Sequence, residues 1–466
     1  MTRKHTYIFC LSILFSTISI AQDRKSEKAQ KEFESYSYAP AIESYEVLVA
    51  KGYSQEAIYK NLGDAYYQNA NYTEAANWFK KLFELNDATI EAEYLYLYAQ
   101  SLKSNKDYEA AALWMDRYET AKTTEVRARK SMGSPDYLEK IERSSGRYDI
   151  KSLPINSPAS DFAPAFKDKD LVFSTARDSG TVGRYVHTWN NKPFTNLYTA
   201  SETAEGSYDE PTKLNSLNRK THETSAVFTK DGSTVYFTRN NSKNGKFSRD
   251  EKGVSRLKIY RANLENGAWT NITELPFNGD DFSTAHPTLS PDERKLYFAS
   301  DMAGTHGASD IFVVDIADDG SFSTPQNLGN VINTEGRETF PHVTESNELY
   351  FASDGHPGLG GLDVFATKID DLDNLYVVNT GRPVNSEKDD FSFIINSETK
   401  KGFFASNREG GQGSDDIYGF TETEPIDLIC NTALSGVVKD QKDGTPLPNA
   451  NVILVSADGT TLTEVI

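Results

Sequence analysis

Three segments of this 466-residue chain repeat one spacing of side chains that can do chemistry: Asp301 to Asp310, Asp354 to Asp363 and Asn407 to Asp416, each pair bracketing a Gly-rich stretch. Carboxylates in such loops can hold Ca²⁺, a hard cation that takes about six to eight oxygen ligands. One pair per segment falls short of that number, so the spacing points instead to loops tied by local side-chain to backbone hydrogen bonds. The seven histidines (His5, His187, His222, His286, His306, His342, His356) form no HExxH motif and have no CxxC partner, which argues against a zinc site. A G-x-S-x-G nucleophile turn and a Walker A loop are both missing, and Gly358-Leu-Gly-Gly361 joins two strands where a phosphate loop would open a helix. The expectation is a protein without catalytic, cofactor or metal residues, and not an enzyme.

Binding chemistry is better represented. Asn61-Leu62-Gly63-x-x-Tyr66, Ala75 and Phe79 match the tetratricopeptide (TPR) pattern L-G-x-x-Y…A-x-x-x-F. A shift of 34 residues upstream brings Ala41 and Tyr45 into register, and one of 36 downstream brings Ala99, Leu102, Ala111 and Met115. Residues 22–146 therefore read as a TPR α-solenoid of three units and a closing helix. In this register Lys60, Asp64, Tyr67, Gln68, Tyr96, Gln100 and Lys103 line the concave face, a protein-binding groove able to grip an extended peptide or a partner's helix.

From 148 to 424 the hydrophobic period falls to two. Five segments share a skeleton centred on Phe173, Phe237, Phe298, Phe351 and Phe404, spaced 64, 61, 53 and 53 residues apart. Each spacing fits one four-stranded blade, so the region reads as a five-bladed β-propeller. The last blade lacks a fourth strand before Glu422-Thr-Glu-Pro425, while Tyr148–Leu153 precedes the first blade and resembles the outer strand at Trp269–Leu275. Residues 148–154 are thus expected to complete the last blade and close the ring. From 430 to 466 alternating strands open a β-sandwich that ends before its faces are covered, which suggests a truncated chain.

The first 21 residues combine a basic start, the apolar run Tyr7–Ile20 and a small residue before Gln22, as a secretory signal peptide does. Apolar residues continue ten positions past Cys10, against a lipidated cysteine, and no later run reaches the roughly 20 residues of a membrane span. Without the signal only Cys430 remains, so packed cores must supply stability. With 68 acidic and 49 basic side chains the net charge of −19 disfavours nucleic acid and anionic lipid as partners.

Leu289-Ser-Pro-Asp292, Leu296-Tyr-Phe-Ala-Ser-Asp301 and Asp310-Ile-Phe312 resemble the WD40-like PD40 repeat of TolB-type propellers. The whole order (signal peptide, TPR, PD40 propeller and a carboxypeptidase-regulatory-like domain) resembles the OmpA-family envelope proteins of Bacteroidota, PorE-like periplasmic components of type IX secretion. That resemblance implies a periplasmic, outer-membrane-associated scaffold for envelope or secretion-system proteins. Peptidoglycan binding would belong to an OmpA-like domain after the sandwich, which this sequence lacks. The alternative is a propeller that captures a glycan, a peptidoglycan fragment or Ca²⁺ in its central channel.

Overall fold

Three residues mark the turns between paired helices at the start of the chain. Tyr36, Ala70 and Lys106 each take a positive φ (56°, 56° and 66°), reversing the backbone between helices as a left-handed residue does. Their spacing of 34 and 36 residues is that of the sequence repeat. In the computed structural model, which describes residues 24–86, 89–178, 186–204, 206–243, 246–369, 376–428, 437–455 and 461–465, these turns join α1 (24–34) to α2 (Tyr38–Ala50), α3 (Glu56–Gln68) to α4 (Tyr72–Leu85), and α5 (Ala92–Ser104) to α6 (Tyr108–Ala121). Two short helices, α7 (Val126–Met132) and α8 (Tyr137–Arg143), complete the helical repeat region. The signal-peptide segment lies outside the described residues.

The repeat residues earn their identity by packing. Ala41, Ala75 and Ala111 are buried, as are Tyr45, Phe79 and Met115 one turn later. A Cβ at Gly63 would overlap the Phe79 ring, so glycine there lets α3 and α4 close on each other. The side chains of Asn71 and Asp107 cap α4 and α6 by accepting from the N–H of Glu74 and Ala110, each worth about 1 kcal/mol.

Five four-stranded antiparallel sheets follow. Their innermost strands are Asp161–Lys167 (blade I), Glu223–Phe228 (II), Thr284–Leu289 (III), Glu338–Val343 (IV) and Asp390–Ile395 (V). In blade V the outer strand is Tyr148–Ser152, paired with Asp416–Glu422 from Tyr148↔Glu422 to Ser152↔Tyr418. The ring is closed by the strand that precedes it in sequence. The Phe residues at 173, 237, 298, 351 and 404 are all at most 1% exposed, each at the centre of its blade's second strand.

An asparagine fixes each crossover between blades. Asn156, Asn218, Asn278, Asn333 and Asn385 each accept a backbone N–H and return the amide N–H to the carbonyl of the same third-strand residue, respectively Ile417, Leu197, Ile259, Ile311 and Val364. All ten bonds are 2.7–3.0 Å. Side-chain amides thereby continue the ladder where the outer strand has not begun, and few buried backbone groups can be left unpaired.

The inner strands share a second device. Each carries a bulge, and one residue in it sits in the left-handed region: Ala163, Ser225, His286, Phe340 and Ser392, at φ 44–58°. None is glycine. Bulges of this kind re-aim a side chain out of the pleat, here into the axis of the ring.

Helices and propeller form one compact unit through Leu428, and residues from Ile429 form a second. Within the second, Val452–Val455 pairs antiparallel with Thr461–Val465, and Lys439 bridges to Pro446. This hairpin and bridge do not establish the sandwich expected there. No helix among the described residues is long and apolar enough to cross a membrane.

Candidate functional site

The inner helices α3 and α5 present the groove predicted from sequence, and the propeller fills it. Tyr67 Oη donates to Asp354 Oδ2 (3.3 Å), and Tyr96 Oη donates to the Asp354 carbonyl. Gln100 Nε2 donates to the carbonyls of Asp354 (3.1 Å) and Gly360 (3.3 Å). Lys103 is 5% exposed, with its ammonium 4.9 Å from the Tyr137 ring centre. Gln68 contributes its carbonyl, which accepts from Trp189 Nε1 of blade I (3.1 Å). Lys60 and Asp64 stay among the helices, Lys60 ion-paired to Glu56 and Glu91 and Asp64 accepting from Tyr94 Oη (3.4 Å). Five of the seven expected binding residues are thus engaged or buried at the contact with the chain's own propeller, and the groove is not an open peptide site.

Residues that the sequence reading did not single out complete the contact. Tyr72 Oη donates to Asp389, Tyr108 Oη to the Leu359 carbonyl (2.8 Å), and Lys130 Nζ to the Val331 carbonyl (2.8 Å). Glu335 of blade IV accepts from the N–H groups of Val126 and Arg127 (2.8 and 2.9 Å), donors that the start of α7 leaves without a helical partner. The Arg127 guanidinium is ion-paired to Glu93 and lies 4.2 Å from the Tyr96 ring centre. Arg337 donates through Nε and its backbone N–H to the two oxygens of Asp354 (2.9 and 2.7 Å).

The Gly-rich run is what allows this approach. A Cβ at Gly360 would overlap the Glu387 backbone, and one at Gly361 would overlap both Asp389 Oδ1 and Tyr72 Oη. Blade IV also departs from blades I, II and V in charge. Asp161, Glu223 and Asp390 each start an inner strand and pair with Arg177, Arg239 and Arg408. Glu338 occupies that place in blade IV, but Gly355 stands near where an arginine would follow Ser353. Its carboxylate takes hydrogen bonds from Ser353 and Thr334 instead.

The paired acidic positions hold loops together. Asp310 accepts from the N–H of His306 (2.9 Å), Asp363 from Leu359 (2.9 Å) and Asp416 from Gly413 (3.1 Å). Asp301, Asp354 and Asn407 accept from the N–H of Ser283, Arg337 and Asp389, tying in the crossover that enters the same blade. Among the described residues no group of three or more His, Cys, Asp or Glu side chains is placed to hold a metal ion.

These buried groups set a pH optimum. Burial pushes the Glu338 and Asp363 carboxyls up to about 8, so between about pH 4.5 and 8 the folded chain holds protons that the unfolded chain has released, and stability falls as pH rises. Burial pushes His187, His222, His286, His342 and His356 down to about 3–4, so stability falls as pH drops from about 6.5 towards 4. The melting temperature is expected to peak near pH 6–6.5. From there to pH 8 stability should fall, by at most ~1.4 kcal/mol per pH unit for each carboxyl, and Glu338→Gln should remove part of that slope in a pH series of thermal melts.

The axis holds the second feature. A cavity of about 180 Å³ is lined by all five inner strands, with Lys230, Glu293 and Glu345 among its residues. Phe162, Phe340 and Phe391 cluster with ring centres 5.1–6.4 Å apart at the end of the inner strands nearer the helices.

The fold and these contacts define a five-bladed β-propeller docked on a helical repeat region. No family model and no curated protein matches the chain. Among solved structures it is similar to TolB from Acinetobacter baumannii, with 16% identity and a TM-score of 0.30 over 56% of this chain and 54% of that one. An α-L-arabinofuranosidase from Lactobacillus brevis gives 12% identity and 0.39 over 63% and 95%. A puromycin-hydrolyzing peptidase of Mycobacterium tuberculosis gives 12% and 0.30 over 55% and 46%. The chain spans about half the length of the TolB chain. Enzymes and a protein not named as one share this likeness, which assigns no activity.

Proposed function

We propose that the protein is a non-enzymatic scaffold of the bacterial envelope, exported to the periplasm by residues 1–21, associated with the outer membrane and binding envelope or secretion-system proteins. The observation that carries this reading is the locking of helical repeats and propeller into one body through buried polar contacts, above all Tyr67, Tyr96 and Gln100 on Asp354 and Gly360. Side chains that grip a partner within the chain leave the outer helical surface and the far face of the propeller in fixed relation, as a scaffold requires. The TPR and PD40 motifs, and the resemblance to PorE-like proteins, support the same reading.

The test is photo-crosslinking in the native envelope from two positions, the exposed Leu113 on α6 (68% exposed) and the half-buried Glu293 beside the axial cavity, followed by mass spectrometry of the adducts. Discrete envelope proteins are the expected products. Recovery of the chain from the cytoplasm, or the absence of any protein adduct at both positions, would refute the reading.

A further inference from the structure

The five bulge residues do not fill the axis evenly. His286 and Phe340 stack with ring centres 3.7 Å apart, whereas Ala163, Ser225 and Ser392 in the other blades are small. The space they leave is the cavity of about 180 Å³. A cavity of about 150 Å³ accepts benzene, so this one is sized for a single substituted ring.

The polar groups around it choose between a sugar and an apolar ring. Ser225 Oγ is bonded to His286 Nδ1 (2.7 Å), Ser392 Oγ accepts from Ala163 N–H (3.2 Å), and Ser290 Oγ donates to Asp292 (2.6 Å). His342 Nε2 is engaged with the Ile395 backbone (3.1 Å). With the Ser225 and Ser290 hydroxyls paired within the protein and Ser392 left with only its own O–H to donate, these hydroxyls are too few for the several of a buried sugar, and an unpaired polar group costs ~1–3 kcal/mol. Both imidazoles are neutral, pushed down to about 3 and about 4 by burial, and the charged side chains on the lining are Glu293, Glu345 and Lys230, two carboxylates to one ammonium, which gives an anion no net attraction. Prolines at 287 and 341 and Phe166 and Phe228 add flat or apolar walls.

We infer that the axial cavity is a binding site for one neutral aromatic ring, of phenol or indole size, held against the stacked His286–Phe340 pair. This site is independent of the scaffold reading. Blade IV shows how to plug it: Phe340 sits at φ 49° and Ala163 at φ 51° on equivalent bulges, so Ala163→Phe is compatible with the backbone.

Calorimetric titration of the full chain with p-cresol and indole should give Kd values of roughly 0.1–1 mM, as expected for ligands of this size, while N-acetylglucosamine and CaCl₂ give no heat. Ala163→Phe should weaken both rings at least tenfold. N-acetyl-tyrosinamide binding as well as p-cresol would mean that the ring can arrive as a partner's side chain; free rings alone would mean a small molecule, and either supports the site. The inference is overturned if neither ring binds at 10 mM, if N-acetylglucosamine binds in their place, or if a well-folded Ala163→Phe binds them unchanged. Should that variant not fold, Ser392→Phe and the bromine position in a 4-bromophenol-soaked crystal decide, bromine off the axis counting against.

Discussion

Gly361→Val is expected to separate the helical repeats from blade IV and to lower stability by about 3–6 kcal/mol. The position is glycine because its α-carbon lies against Asp389 Oδ1 and Tyr72 Oη. Asp389 Oδ1 accepts from Tyr72 Oη and from Leu362 N–H (2.9 Å). A branched side chain cannot enter without displacing both. Overpacking alone costs ~1–3 kcal/mol, and each buried donor or acceptor left unpaired adds ~1–3 kcal/mol. The damage should spread to the neighbouring contacts of Tyr67, Tyr96 and Gln100, which hold the same loop. Hydrogen exchange should quicken in α3, α5 and residues 353–363 while blade II keeps wild-type protection, and Gly361→Ala should give a smaller change of the same pattern. An unaltered melting temperature and exchange map would mean that the loop is not what joins the two regions.

How much of this was legible in the sequence depends on the range over which each feature is decided. The blade count was visible because every blade repeats a buried Phe within one strand. The closing strand was visible because Tyr148–Leu153 resembles another blade's outer strand, and the structure pairs it as expected. The 34–36-residue period puts Tyr67, Tyr96 and Gln100 on the inner helices, where they meet the propeller, and that neighbour was not foreseen. It lies more than 250 residues away in sequence, and nothing local to α3 or α5 announces it. The one hint was Gly358-Leu-Gly-Gly361, where three glycines in four residues mark a backbone that something must approach closely.

The clamp asparagines left a weaker trace. Ile155-Asn156, Leu217-Asn218, Phe277-Asn278, Ile332-Asn333 and Val384-Asn385 repeat an apolar-Asn pair once per blade, in surroundings that otherwise differ. The bulges left none. Of Ala, Ser, His and Phe only His is enriched at positive φ, so the ladder on one side and the closed ring on the other hold them there, and with them the cavity.

Closure of that ring carries the second large effect. Tyr148→Ala is expected to cost about 3–5 kcal/mol, the range for truncating a large buried aromatic. The ring of Tyr148, 2% exposed, meets Phe420 at 5.2 Å and Phe393 at 5.9 Å edge-on, so its loss opens the core of blade V from the outer strand inwards. The consequence reaches beyond one cavity, because Tyr148–Ser152 is the only strand of its blade supplied from the other end of the propeller sequence. When it loosens, Asp416–Glu422 becomes a free edge, and the Asn156 clamp on Ile417, which follows the closing strand, loosens with it. Hydrogen exchange should therefore rise in residues 148–156 and 416–422 before it rises in blade III, and the thermal transition should broaden. A matched truncation inside one blade, Tyr297→Ala at 7% exposure, should lower the melting temperature without that order of opening. If the two variants exchange alike, the seam is no weaker than any other contact in the ring, and closure by the preceding strand contributes only its own packing.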